Sequence, residues 1–491
     1  MLNANKLQYV KADTEDSSFK LKSKIIQLDK HKKRDERNLF FDKIKQNSLT
    51  TKDYLLIAFC VGIMFISTAF LITFSAEISN WHESRMATWW GKTIYVIGLV
   101  LLTIKVSFLI YLWALYQKYK PIQSVEYQDL PMCTVIVPAY NEGYLVYETL
   151  LSLADSKYPH DKLQIFAIDD GSKDDTWEWI LKAKQLLGDR LSIFKQPKNK
   201  GKREALYHGF KNGKGEVFVT VDSDSIVDEN TLRNLVSPFV FNEKCGAVAG
   251  NVRVLNKEKG MIPKMLNVSF TFSFEFVRSA QSVLGSVLCT PGALAAYRKD
   301  AVLNCLEDWM QQTFMGKRST IGEDRALTNM ILKQGLHVMF QKNAYVFTNI
   351  PVKYNNLYKM FIRWERSNVR ENIMMSKFAF SNFREGAKYG TRILLIMQWV
   401  KVVLALPLLA MLVLFVSAYP ILFITSSLTG ILIFSSIQML FYAKNYNFAE
   451  GFLAYVYSVF YMFSLFWITP YAILTAGKGG WLTRELAVKE S

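Results

Sequence analysis

Five long apolar runs, gathered in two groups at either end of the chain, limit what it can fold into more than any other feature. They cover 54–74 and 94–116, then roughly 392–416, 419–442 and 452–475. A helix needs about 20 apolar residues to cross a bilayer, so each run is long enough to be a membrane span. Average composition hides this, because 51% hydrophobic and 21% charged residues suit an ordinary soluble protein. The apolar residues concentrate at the ends, and the middle is patterned as a soluble α/β domain. The basic tail ahead of the first run places the N-terminus inside. Two crossings then return the chain to the cytosol. The expectation is a multi-pass protein of the cell (plasma) membrane with its α/β domain in the cytosol.

The expected division follows these shifts. A basic cytosolic tail (1–50) precedes two transmembrane helices (51–117) and the α/β domain (118–350). Amphipathic interface helices (351–391), a C-terminal transmembrane region (392–476) and a cytosolic tail (477–491) follow. Two plus three crossings would leave the C-terminus outside, whereas the last tail reads as cytosolic. The final run, which contains Pro470, is therefore expected to be broken or re-entrant. Lys105 sits near the middle of the second run, where a charge is expected to face a water-filled path or a helix carbonyl.

The net charge of +17 fits basic loops facing anionic lipid, making the bilayer an expected partner. No interleaved aromatic and basic motif calls for nucleic acid, which is not an expected partner. Cys60, Cys133, Cys245, Cys289 and Cys305 are scattered without a CxxC pair, which argues against zinc and a disulfide framework. Residues 1–50 are polar, so the start of the chain is not read as a signal peptide.

From about 130 to 350, short β-rich runs (TVIVPAY, LQIFAIDD, VFVTVDSD, CGAVAGNV) alternate with helical stretches. That is the pattern of βαβ units in a mostly parallel sheet. Ligands of such sheets sit beyond the carboxyl ends of the strands. Tyr140, Asn141 and Glu142 fall at the first of these ends, Asp169 and Asp170 at the second, and Asp222 and Asp224 at the next. Lys200, Lys202 and Arg203 open a helix between them. A nucleoside diphosphate needs such parts. Tyr140 can stack on a base, and Asp170 can accept hydrogen bonds from base or ribose, with Glu142 beside them. Lys202 can face the phosphates. The Asp222-Ser223-Asp224 pair of hard carboxylates can hold Mg²⁺ or Mn²⁺ against the pyrophosphate.

The order PAYNE, DDGS, NKGKR, VDSDS, GED and RW over about 130–370 resembles family 2 glycosyltransferases of the GT-A fold. Within them it is similar to the processive synthases of hyaluronan, chitin and cellulose. The segment LEDWMQQTFMGKRSTIGEDRALTN (306–329), with VRVLNK, AQS and the terminal WLTR, resembles hyaluronan synthases. The resemblance implies a membrane polysaccharide synthase. It would transfer sugars from UDP-sugar donors with inversion to a growing β-linked polysaccharide and export it. Asp324 matches the catalytic base, which takes the proton of the acceptor hydroxyl. Arg363 and Trp364 match the end of a Gln-x-x-Arg-Trp motif that grips the acceptor, with Glu323 placed beside them. Arg484 of WLTR would reach the donor phosphates. Met360 stands where that motif has Gln, and Thr-Pro-Gly-Ala (290–293) where the family often has Ser-Gly-Pro. Cys289 reads as a buried structural thiol.

Within this reading hyaluronan, from UDP-GlcNAc and UDP-glucuronate, leads. The Glu in GEDR leans toward chitin-type enzymes. A non-processive transferase acting on a lipid phosphate, and an inactive scaffold, are the alternatives of other classes. The presence of every expected acidic residue argues against the scaffold.

Overall fold

The computed structural model describes residues 47–386 and 388–479. Arg484, the WLTR segment and most of the basic tail lie outside the described residues. Strand β1 (Cys133–Ala139) pairs in parallel with β2 (Leu163–Asp169) on one side and β4 (Val217–Val221) on the other, and β3 (Leu191–Lys195) adds to β2. Beyond β4 come β7 (Leu294–Arg298), β6 (Cys245–Val254), β10 (His337–Thr348) and β5 (Ser225–Val227). The order is β3-β2-β1-β4-β7-β6-β10-β5.

The sheet is mixed. β7 runs antiparallel to both β4 and β6, and β5 antiparallel to β10. The parallel half, from β3 to β4, carries the βαβ units anticipated from the sequence. Every residue of β1, β4 and β6 is buried, as expected for strands covered on both faces. One apolar cluster, with Leu150, Ile165 and Leu235, fills one face; another, with Phe210, Trp309 and Ile331, fills the other.

Among the described residues, four helices flanking this domain are long and apolar enough to cross a membrane: Thr51–Thr73, Trp89–Lys118, Lys388–Ala418 and Pro420–Asn445. Thr50 and Asp53 close a capping box at the start of the first. The last apolar run is broken: Phe448–Ser464 and Ile468–Leu474 meet at 47°. Pro470 does not make the break. It lies in the first turn of the second helix, where a missing amide breaks no helical hydrogen bond. Lys105 is exposed on the Trp89–Lys118 helix and does not line the cavity described below, contrary to its expected place on a polymer path.

The aromatic and basic segment after the sheet forms one helix, Tyr354–Ala379. Leu357, Met360 and Ile362 pack with Leu465 and Ile468 of the broken run. Its polar side is also buried in places: Asn329 Nδ2 donates to Glu371 Oε2 at 2.9 Å, and Arg325 donates to Asn368 and Asn372 at 2.9 and 2.7 Å. The amphipathic pattern thus serves contacts inside the protein, because the helix Glu323–Lys333 presents polar groups to it.

A second set of buried polar contacts ties the sheet to the apolar helices. The helix Met261–Thr271 continues through a π-helical turn, Phe272–Val277, into Arg278–Val283. Glu275 of the turn, fully buried, pairs with Arg253 of β6 and accepts from Tyr446 just past Pro420–Asn445 at 2.5 Å. Lys342 lies 3.3 Å away, and Asn251 Nδ2 donates to Glu275 at 2.9 Å. Lys264–Asp53 at 2.6 Å and Lys257–Glu450 at 3.3 Å are two more buried pairs along the same seam.

Candidate active site

Because β1, β2 and β4 are parallel and in register, their C-terminal ends open on one edge of the sheet. Tyr140, Asp170 and Asp222 follow those ends directly, and all three line a cavity of about 740 Å³. Glu142, Lys202, Asp224, Glu323, Asp324, Arg363 and Trp364 line it too. The structure therefore brings together every anticipated site residue that it describes.

At the strand-tip end, backbone geometry fixes the side chains. The Asn141 amide donates to Ser172 at 3.0 Å, and Asn141 Oδ1 accepts from the Lys173 amide at 2.9 Å, joining the first two tips. Both oxygens of Asp170 accept backbone amides, from Lys200 and Gly201, each at 2.8 Å. Asp170 thus holds the loop that launches the helix Lys202–Asn212, a job beyond the ligand contact expected of it. Burial raises its carboxyl to about 6. Arg203, on the same helix, is buried and donates to the Trp309 carbonyl at 2.6 Å, so it is structural.

Lys202 pairs with Asp222, and its Nζ lies 3.6 Å from Glu323. Burial alone would lower the ammonium, but Asp222 and then Glu323 outweigh it and hold it raised. Gly292 leaves the space for this pair: a Cβ there would sit 2.6 Å from Lys202 Nζ. Glu323, expected beside the acceptor, turns its carboxylate to Lys202, because it starts a helix whose first turn faces that ammonium. Asp224 accepts from Thr348 Oγ1 at 3.3 Å.

Asp324 follows Glu323 at the start of the Glu323–Lys333 helix. Gly322 precedes it at φ +75°, and a Cβ there would lie 1.9 Å from Ser367 Oγ, so only glycine lets the two helices approach so closely. Asp324 Oδ1 accepts the Arg325 amide at 2.8 Å. Burial, and then the Glu323 charge, raise the Asp324 carboxyl above the ordinary range, against the pull of Lys202 and Arg363. A carboxyl tuned upward in a cleft suits general-base chemistry.

Cys289 is no inert core thiol. It lines the cavity with Sγ 3.7 Å from Asp324 Oδ2, and burial followed by the Asp324 charge pushes it up to about 12. Trp364 lies near Phe270 and Phe361, with ring centroids 6.0 and 5.6 Å away. The wall also includes Phe274 of the π-turn, Arg278 just after it, Gln398 of Lys388–Ala418 and Tyr457 of the broken run. These residues carry no motif. The AQS segment (280–282), which begins six positions after Phe274 and lies on the same helix as Arg278, was the nearest signal in the sequence.

Residues 134–305 match the family described as glycosyl transferase family 2. A hyaluronan synthase of Streptococcus pyogenes is 29% identical over 324 residues, 65% of this chain and 75% of that protein. An N-acetylglucosaminyltransferase of Rhizobium meliloti is 32% identical over 253 residues, 51% of this chain and 59% of that protein. Among solved structures, a mannosyltransferase of Pyrobaculum calidifontis in complex with GDP-Man and Mn²⁺ covers 78% of this chain and 96% of its own, at a TM-score of 0.50 and 20% identity. Its likeness establishes the fold. The chain carries a family 2 glycosyltransferase domain on a GT-A fold and is a glycosyltransferase similar to the hyaluronan synthases.

Proposed function

We propose that the chain is a membrane polysaccharide synthase that adds sugars from UDP-sugars to a β-linked polymer and passes the product between its own membrane helices. One observation carries this reading: the cavity lined by Lys202, Asp222, Asp324 and Trp364 is lined as well by Gln398 and Tyr457 of the apolar helices. Transfer and passage then share one space. The domain would face the cytosol at the plasma membrane, where nucleotide sugars are made.

In this mechanism Tyr140 stacks on the base, with Glu142 beside it and Asp170 shaping the loop. Lys202 balances charge on the diphosphate. Asp222 and Asp224 fit a divalent cation such as Mg²⁺ or Mn²⁺, being two hard carboxylates on the cavity wall with room for phosphate oxygens to complete the shell. Such an ion supplies charge neutralisation to the leaving diphosphate. Glu323 keeps Lys202 oriented. The acceptor hydroxyl oxygen attacks the anomeric carbon while Asp324 takes its proton, and the nucleoside diphosphate leaves with the bonding pair. Attack opposite the leaving group inverts the centre. Trp364 stacks on the acceptor sugar and Arg363 faces the reacting centre. Arg484, beyond the described residues, would add a donor contact.

The product we favour is hyaluronan-type, from UDP-GlcNAc and UDP-glucuronate, on the likeness over 324 residues to the streptococcal synthase. A polymer of GlcNAc alone is the second reading, favoured by the likeness to N-acetylglucosaminyltransferases and by Glu323 in GEDR. Purified protein with Mg²⁺ or Mn²⁺, given the two donors singly and together, separates them. Large product requiring both supports the first; product from UDP-GlcNAc alone supports the second; no polymer from any nucleotide sugar defeats both.

A further inference from the structure

We propose that Arg278 is a specificity-determining residue that binds the carboxylate of a uronate at the chain end being extended, beside Asp324. The inference rests on the polysaccharide reading and deepens it, since it names the acceptor chemistry.

Arg278 lines the cavity, and its guanidinium carbon lies 3.7 Å from the centre of the Phe274 ring. Its guanidinium makes no hydrogen bond or ion pair among the described residues, and its Nη1 is sealed from solvent without a hydrogen-bond partner. Other cations on this wall are engaged. Lys202 is held by Asp222 and Glu323, and Arg325 donates to Asn368 and Asn372. A guanidinium nitrogen shut off from solvent without a hydrogen-bond acceptor is unfavourable, so a site keeps one where a ligand anion completes it. A guanidinium is also the side chain whose flat fork matches a carboxylate with two parallel hydrogen bonds.

Position separates this seat from the diphosphate. Arg278 sits over Phe274, the Phe274 ring centroid lies 6.0 Å from that of Phe270, and Phe270 in turn lies 6.0 Å from Trp364, whereas Lys202 pairs with Asp222. Arg278 thus belongs to the acceptor side of the base. The wall is rich in carboxylates (Asp222, Asp224, Glu323 and Asp324), which would repel a uronate if no cation faced it. The π-turn makes the placement: Phe274 and Arg278 reach the cavity while Glu275 is buried against Arg253 and Tyr446.

The test uses the full-length purified enzyme with UDP-GlcNAc as donor. Two acceptors are compared: a short oligosaccharide ending in glucuronate at its non-reducing end, and the same oligosaccharide as its neutral methyl ester. The wild type is expected to prefer the free acid by about tenfold in kcat/KM, through KM, the scale of one charge-assisted pair. Arg278→Gln is expected to bring that ratio near one whatever its overall rate, and Arg278→Lys to restore part of it. An equal ratio for the wild type, or an unchanged ratio in Arg278→Gln, overturns the proposal. If Arg278→Gln does not fold, the wild-type ratio and Arg278→Lys decide. A wild type that needs both donors for polymer yet ignores the ester defeats only the role of Arg278. One that polymerises UDP-GlcNAc alone and extends neither acceptor defeats the two-donor reading with it.

Discussion

The two ends of the cavity are built in different ways. At the strand-tip end, where we propose the donor binds, Tyr140, Asp170 and Asp222 sit one step past three parallel strands, and strand register sets their spacing. At the end where we propose the acceptor binds, Phe274, Arg278, Trp364, Gln398 and Tyr457 come from a π-turn, the short helix after it, a long helix and two apolar helices. The first end is fixed by backbone ladders and loop hydrogen bonds. The second depends on how helices pack against one another.

The largest expected effect falls where the ends meet. Asp324→Asn should reduce sugar transfer by about a thousandfold, the scale of a lost general base, measured as polymer from radiolabelled donor at an unchanged melting temperature. Next comes the seam between sheet and membrane helices. Glu275→Ala leaves Arg253 buried without its partner and should destabilise the fold by about 3–5 kcal/mol, read as a lowered melting midpoint in detergent. An unaltered midpoint would mean the acceptor wall is not held by that pair.

Trp364→Ala should raise KM for acceptor oligosaccharides about tenfold, the scale of one lost stacking contact, and raise KM for donor less; equal effects would erase the division between the two ends. A milder effect is expected from pH at the donor end. Asp170 protonates as pH falls through about 6, weakening its grip on the Lys200 and Gly201 amides, so donor KM should climb severalfold below that point. Stability moves the other way. A carboxyl raised from 3.8 to about 6 binds its proton more readily folded than unfolded, so its contribution grows as pH falls through that window. Asp170→Asn should remove both trends. Last, Lys105→Leu should leave polymer output within about twofold, since Lys105 is exposed and does not line the cavity.

The same asymmetry explains what could be read from the sequence. A residue at a strand tip is announced by the β-rich run before it, so Tyr140, Asp170, Asp222 and Asp224 were legible, as was Asp324 through its GEDR context. Glu323 and Cys289 were misjudged because helix phase, not neighbouring sequence, decides which group each side chain meets. Arg278 was missed because a π-turn breaks the 3.6-residue period on which face assignments rest. The broken last run was anticipated, but its break lies ahead of Pro470, set by packing of Leu465 and Ile468 on Leu357 and Ile362. The antiparallel β7 has no local signature, since strand direction depends on where the preceding segment crosses the sheet.

The most direct test of the central claim, that one cavity joins transfer to passage through the membrane helices, is made with the protein reconstituted in sealed vesicles. Donor is supplied only on the side of the glycosyltransferase domain, and a glycosidase specific for the product is added to that same side. The account predicts long labelled product that survives the enzyme until detergent opens the vesicles. Short product, or long product digested at once on the donor side, would contradict it.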